Sequence, residues 1–258
     1  RVVFAFLKNL GIPLNSYTIW KDAFKKDPQD WEVPVSLSEI CRSNHEQIHK
    51  ETVTEDMKAQ MDSVLGENGY PQEAFTLAVT VERHYKGFAT LEGDIIGQVG
   101  KCSLHRDVPL VLATPSYFRC KLHNYSSESR KILRDWLSDI GNSGENVNAF
   151  DLFSIENRLG AWASHTHLIR NVMGMSFFNI FNSRSIIYVW TAVNRKERMK
   201  SAIHIELIRL TAPELLDVPF EQDKSGLVQI AKSSWPIFYL ATFAKYFVQR
   251  IAFLKNKQ

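Results

Sequence analysis

The feature that most constrains the fold is punctuation. Glycines at 11, 66 and 87 each close a helical pattern, and after the first and last of them comes a short run of apolar, β-branched or aromatic residues. A glycine just past a helix supplies the left-handed residue that ends it. Arg1 to Leu10 reads as a helix with Val2, Val3, Phe6, Leu7 and Leu10 on one face, stopped by Gly11 and Pro13, and Leu14 to Trp20 then reads as a strand. Asp30 is expected to cap a second helix that turns Val33, Leu37 and Ile40 or Cys41 inward, with Pro34 tolerated in its first turn. His45 to His49 fits either a short strand or more helix. Thr52 with Glu55 forms a capping box for a helix carrying Met57, Met61 and Val64, and Pro71 opens another that runs to about Lys86. Helices alternating with short apolar strands predict a parallel sheet, whose ligands bind beyond the carboxyl ends of the strands, where Trp20 and Gly93 fall.

The stretch FATLEGDIIGQVGK, Phe88 to Lys101, predicts a strand ending in glycines at 93, 97 and 100. Glycines there let backbone N–H groups approach a phosphate or carboxylate with no Cβ in the way. The spacing is neither GxGxxG nor GxxxxGK[ST], and a glycine turn with no ligand accounts for this stretch equally.

From Ser126 onward the pattern changes class: only helices are predicted, with a polar linker at 141–148. Residues 1–125 therefore read as an α/β part and 126–258 as a helical part. In the tail, Leu240, Phe243, Phe247, Ile251 and Leu254 form a stripe expected to pack on the domain, and Lys245, Gln249 and Arg250 leave the uncharged run too short to span a bilayer. With 31 basic against 28 acidic residues and no dense basic run, nucleic acid is not an expected partner. Cys41, Cys102 and Cys120 are odd in number and lack a CxxC, which favours a reducing, cytoplasmic setting. The first helix starts at Arg1 with no capping residue ahead of it, so the sequence reads as truncated at its amino end, and the lack of a signal peptide carries no information.

One literal motif stands out. His45-Glu46-Gln47-Ile48-His49 is an HExxH, which on a helix would put two imidazoles one turn apart for zinc with the glutamate activating bound water, and Glu67 or Glu73 as third ligand. Its polar surroundings, Asn44, Lys50 and Glu51, argue against the buried helix that such a site needs. His165 and His167, two apart on a predicted helix, point to different sides and make poor co-ligands. No GxSxG and no cysteine beside a base supports a covalent nucleophile.

Three segments, FSIENRLGAWAS, FNIFNSRSIIYVW and RKERMKSAIHIELIRLTAPELLDVPF between Phe153 and Phe220, resemble the carboxyl-terminal helical part of the asparagine synthetase-like family. At the other end, RVVFAFLKNLGIPLNSYTIW resembles the segment just after that family's pyrophosphate loop, SGGxDSR, with Arg1 in place of the loop's last residue; Asp30 and Leu37 to His49 resemble the family's next motif stretch. The resemblance implies an adenine nucleotide alpha-hydrolase-like fold, a parallel sheet with flanking helices followed by an all-helical carboxyl-terminal half. It implies binding of ATP with Mg²⁺, adenylation of a small-molecule carboxylate, and transfer of the acyl group to ammonia or an amine, with a glutaminase domain upstream as a further partner. It places Arg1 at the phosphates, Thr18, Ile19 and Trp20 at the adenine, and Gly93, Gly97 and Gly100 in a second loop at the acyl-adenylate. That loop departs from the family's acidic, glycine-rich pattern: Gln98 and Lys101 occupy one register and Asp94 supplies the acid in the other. Asp94 could take a proton from an amine and Gln98 could not, while Lys224 would steady the phosphates. The implied alternative is a family member that has lost catalysis and serves as a binding or assembly subunit; an HExxH zinc peptidase is the third reading.

Overall fold

In the computed structural model the described residues are 1–21, 28–67, 69–93, 95–101, 105, 107–124, 126–142, 148–219 and 234–255. The amino-terminal part is α1 (Val2–Asn9), β1 (Asn15–Ile19), α2 (Gln29–Ile40), β2 (Asn44–Ile48), α3 (Glu55–Leu65), α4 (Gln72–Tyr85) and β3 (Ala89–Glu92), with α1, α3 and α4 ending near the glycines as predicted and the stretch left open between strand and helix forming β2. Gly11, Gly66 and Gly87 sit at φ of 64°, 82° and 84°, the left-handed conformation that a side chain would strain. The helix starts differ from expectation in detail. Thr54 caps α3, accepting from Met57 N–H at 3.3 Å, so Thr52 does not. Pro28 stands at the start of α2; Asp30 lies inside its first turn and Pro34 in its second.

The strands form two separate parallel pairs. In one, β1 runs beside β2 with Asn15 opposite Asn44 and Ile19 opposite Ile48; in the other, β3 runs beside β4 (Ser176–Asn179) with Ala89 opposite Ser176 and Glu92 opposite Asn179. The strand β4 corrects the expectation of helices alone after Ser126. Its four residues, SFFN, are too few for a readable alternation, and what makes them a strand is the edge of β3 beside them. The other main described elements after β3 are helical: α5 (Pro115–Lys121) leads into α6 (Glu128–Asn142), α7 (Ala149–Phe153), α8 (Ser164–Val172), α9 (Arg184–Ala192), α10 (Arg195–Met199), α11 (Ala202–Thr211) and α12 (Trp235–Lys255). Between α7 and α8 the backbone widens to a π-helix, Ser154–Ala163. The widening rotates the buried face, so that Phe150 and Phe153 enter one apolar cluster and Ile169 another.

Of the stripe on the tail helix only Phe243 packs, together with residues beside the stripe. Phe238, Tyr239 and Phe243 lie on the cluster around Tyr117 and Phe118, with the Tyr239 and Tyr117 rings stacked at 5.3 Å, whereas Leu240, Phe247, Ile251 and Leu254 are exposed. Aromatic partners on α5, with Lys121 4.0 Å above the Phe238 ring, select that face over the longer aliphatic one. No helix among the described residues is long and apolar enough to cross a membrane.

One buried ion pair joins the clusters. The Arg198 guanidinium, 1% exposed, donates to both Asp151 oxygens (3.0 and 2.6 Å), to the Val99 carbonyl (2.9 Å) and to the Val193 carbonyl (3.0 Å). Removing one partner strands the other charge in the interior, at a cost of about 3–5 kcal/mol, whereas an apolar replacement of both is close to neutral. Arg198→Met is therefore expected to lose about that much stability in denaturant unfolding, and Arg198→Met combined with Asp151→Leu to regain most of it.

Candidate functional site

The amino end of α1 is the starting point. Arg1 holds the capping position without a side-chain cap bond, and the helix dipole favours an anion at this end. The Arg1 guanidinium is directed elsewhere: it donates to the carbonyls of Leu215 (3.2 Å), Val218 and Pro219.

Gly93, at the carboxyl end of β3, lies against this first turn; a Cβ built there would sit 3.2 Å from Val3 Cγ2. The glycine stretch after it is not an open loop. Residues Ile96–Gly100 make one wide helical turn, and Ile95, Ile96 and Val99 are buried in the same cluster as Val2 and Ala5 of α1. Gly97 faces open space, Gln98 is half-buried, and a Cβ on Gly100 would meet Ile96 Cγ1 at 3.1 Å and His204 Cε1 at 3.4 Å. Lys101 comes next and is exposed.

His204, on α11, joins the group. Burial first, then the charge of Lys101, presses its pKa from 6.5 down to about 4, so the ring is neutral near pH 7. Its Nδ1 is buried with no hydrogen-bond partner among the described residues. Sequence reasoning misses this residue because it lies in the apolar run AIHIELIRL, where every third or fourth position reads as core; a lone histidine within such a run is the available signal.

The other expected site residues fall apart from this group or outside the described part. Thr18, Ile19 and Trp20 end β1, but the Thr18 hydroxyl bonds His45 Nε2 at 3.1 Å, Ile19 pairs with Ile48, and the Trp20 N–H donates to the Ile48 carbonyl at 2.7 Å. Asp94 and Lys224 lie outside the described residues. Glu92, the residue before Gly93, is paired with Arg170. The helix end, Lys101 and His204 thus offer donors and positive charge, which suit an anion such as a polyphosphate. Among the described residues there is no cluster of three His, Cys, Asp or Glu able to hold a metal ion, so Mg²⁺ here would rely on phosphate oxygens and water.

The HExxH does not form a metal site. It lies on strand β2, not on a helix, and residues four apart along a strand are roughly 13 Å apart. Both His45 nitrogens are also engaged, Nδ1 with Ser16 Oγ at 2.6 Å and Nε2 with Thr18 Oγ1, while Glu46 accepts from the Tyr85 hydroxyl at 2.9 Å. Glu73, one candidate third ligand, pairs with Lys50. His165 and His167 diverge as expected: Nδ1 of the first donates to the Ala161 carbonyl (2.7 Å) and the second ring lies 4.3 Å from Phe177.

Comparison with protein-family models, with curated proteins and with solved structures finds no match for this chain.

The depressed His204 pKa sets a sign for stability. Between about 4 and 6.5 the unfolded chain binds a proton that the folded chain refuses, so stability rises with pH across that window and the penalty is complete below about 4. The full effect is at most about 3 kcal/mol. His204→Gln is expected to flatten the stability profile between pH 4 and 6.5 relative to the parent, and NMR titration of the His204 ring should give a midpoint well below 6.5.

Proposed function

We propose that the chain is the synthetase part of an ATP-dependent, amide-forming ligase of the asparagine synthetase-like kind, with an adenine nucleotide alpha-hydrolase-like fold. The observation that carries the reading is the amino end of α1 set against Gly93, with Lys101 and His204 beside it. A helix dipole and a lysine together make an anion cradle of the sort a nucleotide's phosphates require. In this reading the first-turn N–H groups of α1 bind phosphate oxygens, Lys101 offsets their charge, and neutral His204 donates one N–H. Bound ATP, with Mg²⁺ shared on its phosphates, supplies the activated phosphorus that a substrate carboxylate attacks with release of pyrophosphate. Ammonia or an amine would then attack the acyl carbon, the bond to AMP would break with AMP leaving, and the amine's proton would pass to solvent, giving the amide. A glutaminase domain as ammonia source and a cytoplasmic setting belong to the same proposal.

A second reading is favoured by two specific observations. Ile95 and Ile96 are core residues where the family pattern has small ones, and the Arg1 guanidinium is committed to backbone carbonyls. Both suit a relative that kept the fold and lost the chemistry, acting as a binding or assembly subunit.

Pyrophosphate release separates the two. The synthetase reading expects release that depends on ATP and on a carboxylate, and expects Lys101→Met to slow it at least about tenfold, as loss of a charge-stabilising donor does. No release with a panel of carboxylates and amines, with nucleotide still bound in calorimetry, supports the subunit reading. No nucleotide binding at all rejects both.

A further inference from the structure

Among the described residues, the tail helix α12 is held on the molecule by one side. Phe238, Tyr239 and Phe243 lie on the cluster around Tyr117 and Phe118, and the buried Tyr246 donates its hydroxyl to the Asn124 carbonyl at 3.2 Å. The other side is apolar as well. Ile237, Leu240, Phe247, Val248, Ile251 and Leu254 are each between 42% and 68% exposed. At about 100° per residue they share one continuous face, roughly 25 Å long. The charges on the helix are of one sign: Lys245, Arg250 and Lys255, with no Asp or Glu from Trp235 to Lys255. Lys245 and Arg250 flank the apolar face on opposite sides, and Lys255 lies at its carboxyl end. The bias extends through the surrounding sequence, where 224–258 holds six basic residues and no acidic one, while the whole chain carries only +3 and the rest of it is therefore net negative.

We propose that α12 docks the protein on a lipid surface carrying anionic headgroups, lying flat with its apolar face at the boundary of headgroups and acyl chains. Three observations choose this occupant. A helix with its exposed apolar residues along one side sets them all at one depth, as a planar lipid surface requires. The cations stand at the rim of that face, where their stems stay on apolar surface while the charged ends reach the headgroups, and each is attracted by anionic lipid. The same charges disfavour a second copy. Lys245 is the middle residue of α12, so a two-fold contact through this face sets Lys245 beside its own copy, and neither helix has an acidic residue to pair with it. The helix lies on the bilayer and does not cross it, since no helix among the described residues is long and apolar enough. The proposal is independent of the synthetase reading, because no described residue of α12 belongs to the cluster that holds the glycine turn.

The test is co-sedimentation of the whole chain with vesicles of phosphatidylcholine alone and with vesicles containing about a quarter phosphatidylserine. The expected result is at least about tenfold tighter binding to the anionic vesicles, weakening as salt rises from about 0.05 to 0.5 M. Val248→Ser combined with Ile251→Ser, both at exposed positions, is expected to weaken that binding at least about tenfold with an unchanged thermal unfolding midpoint. Leu240→Ser with Phe247→Ser should do the same. Lys245→Gln with Arg250→Gln should bring anionic vesicles close to neutral ones. Val189→Ser on α9, an exposed apolar position elsewhere, should change nothing. Absence of binding to anionic vesicles, equal binding to both kinds, binding that survives both serine pairs, or an equal loss with Val189→Ser would each overturn the proposal. If both serine pairs lower the unfolding midpoint, the charge variant decides, and parental binding by it overturns the proposal. So does a dimer that forms without lipid and is dissolved by a serine pair, with no vesicle binding, which makes the occupant a second copy.

Discussion

The guanidinium of Arg198 is the point on which the described parts of the molecule converge. It reaches the Asp151 carboxylate on α7, the Val99 carbonyl in the glycine turn and the Val193 carbonyl after α9, all within the interior. Desolvating such a pair costs several kcal/mol, and two parallel N–H···O bonds with two further acceptors offset that cost only if all the pieces are in register. The glycine turn is therefore held by a residue almost a hundred positions away. What that turn offers to a ligand depends on packing in the second half of the chain.

The same turn shows how core and candidate chemistry compete for one stretch. Ile95, Ile96 and Val99 fill the cluster that α1 also enters, and the turn cannot be both an open phosphate loop and part of that cluster. The outward positions, Gly97, Gln98 and Lys101, stay available, and Gly100 leaves room for His204. His204 stays neutral because it is buried, with the charge of Lys101 acting in the same direction, and a neutral donor next to a lysine is a better anion partner than two repelling cations.

Two sequence patterns looked sharper than they were, for the same reason. HExxH specifies a zinc site only through helical spacing, and Asn44 to Ile48 became a strand because β1 lay beside it, with Ser16 and Thr18 completing the histidine's hydrogen bonds. The tail stripe named a helix face without knowing what would meet it, and the aromatic side chains of α5 met only its Phe243 and residues beside it. Periodicity states that a face is apolar; contact decides whether it is covered.

The sequence by itself determined the helix stops at Gly11, Gly66 and Gly87 and the short strands after the first and last of them, because glycine and proline act on their own backbone and need no partner, whereas it left 45–49 open between strand and helix. It also marked the glycines at 93, 97 and 100 as unusual. It could not reveal β4, whose four residues are a strand only against β3, nor His204, which matters only because α11 carries it to Gly100. Nor could it give the division of the strands into two pairs with a lined cleft between them. Those are properties of residues far apart in the chain, and only the tertiary structure decided them, because their hydrogen bonds and desolvation exist only once both partners are in place.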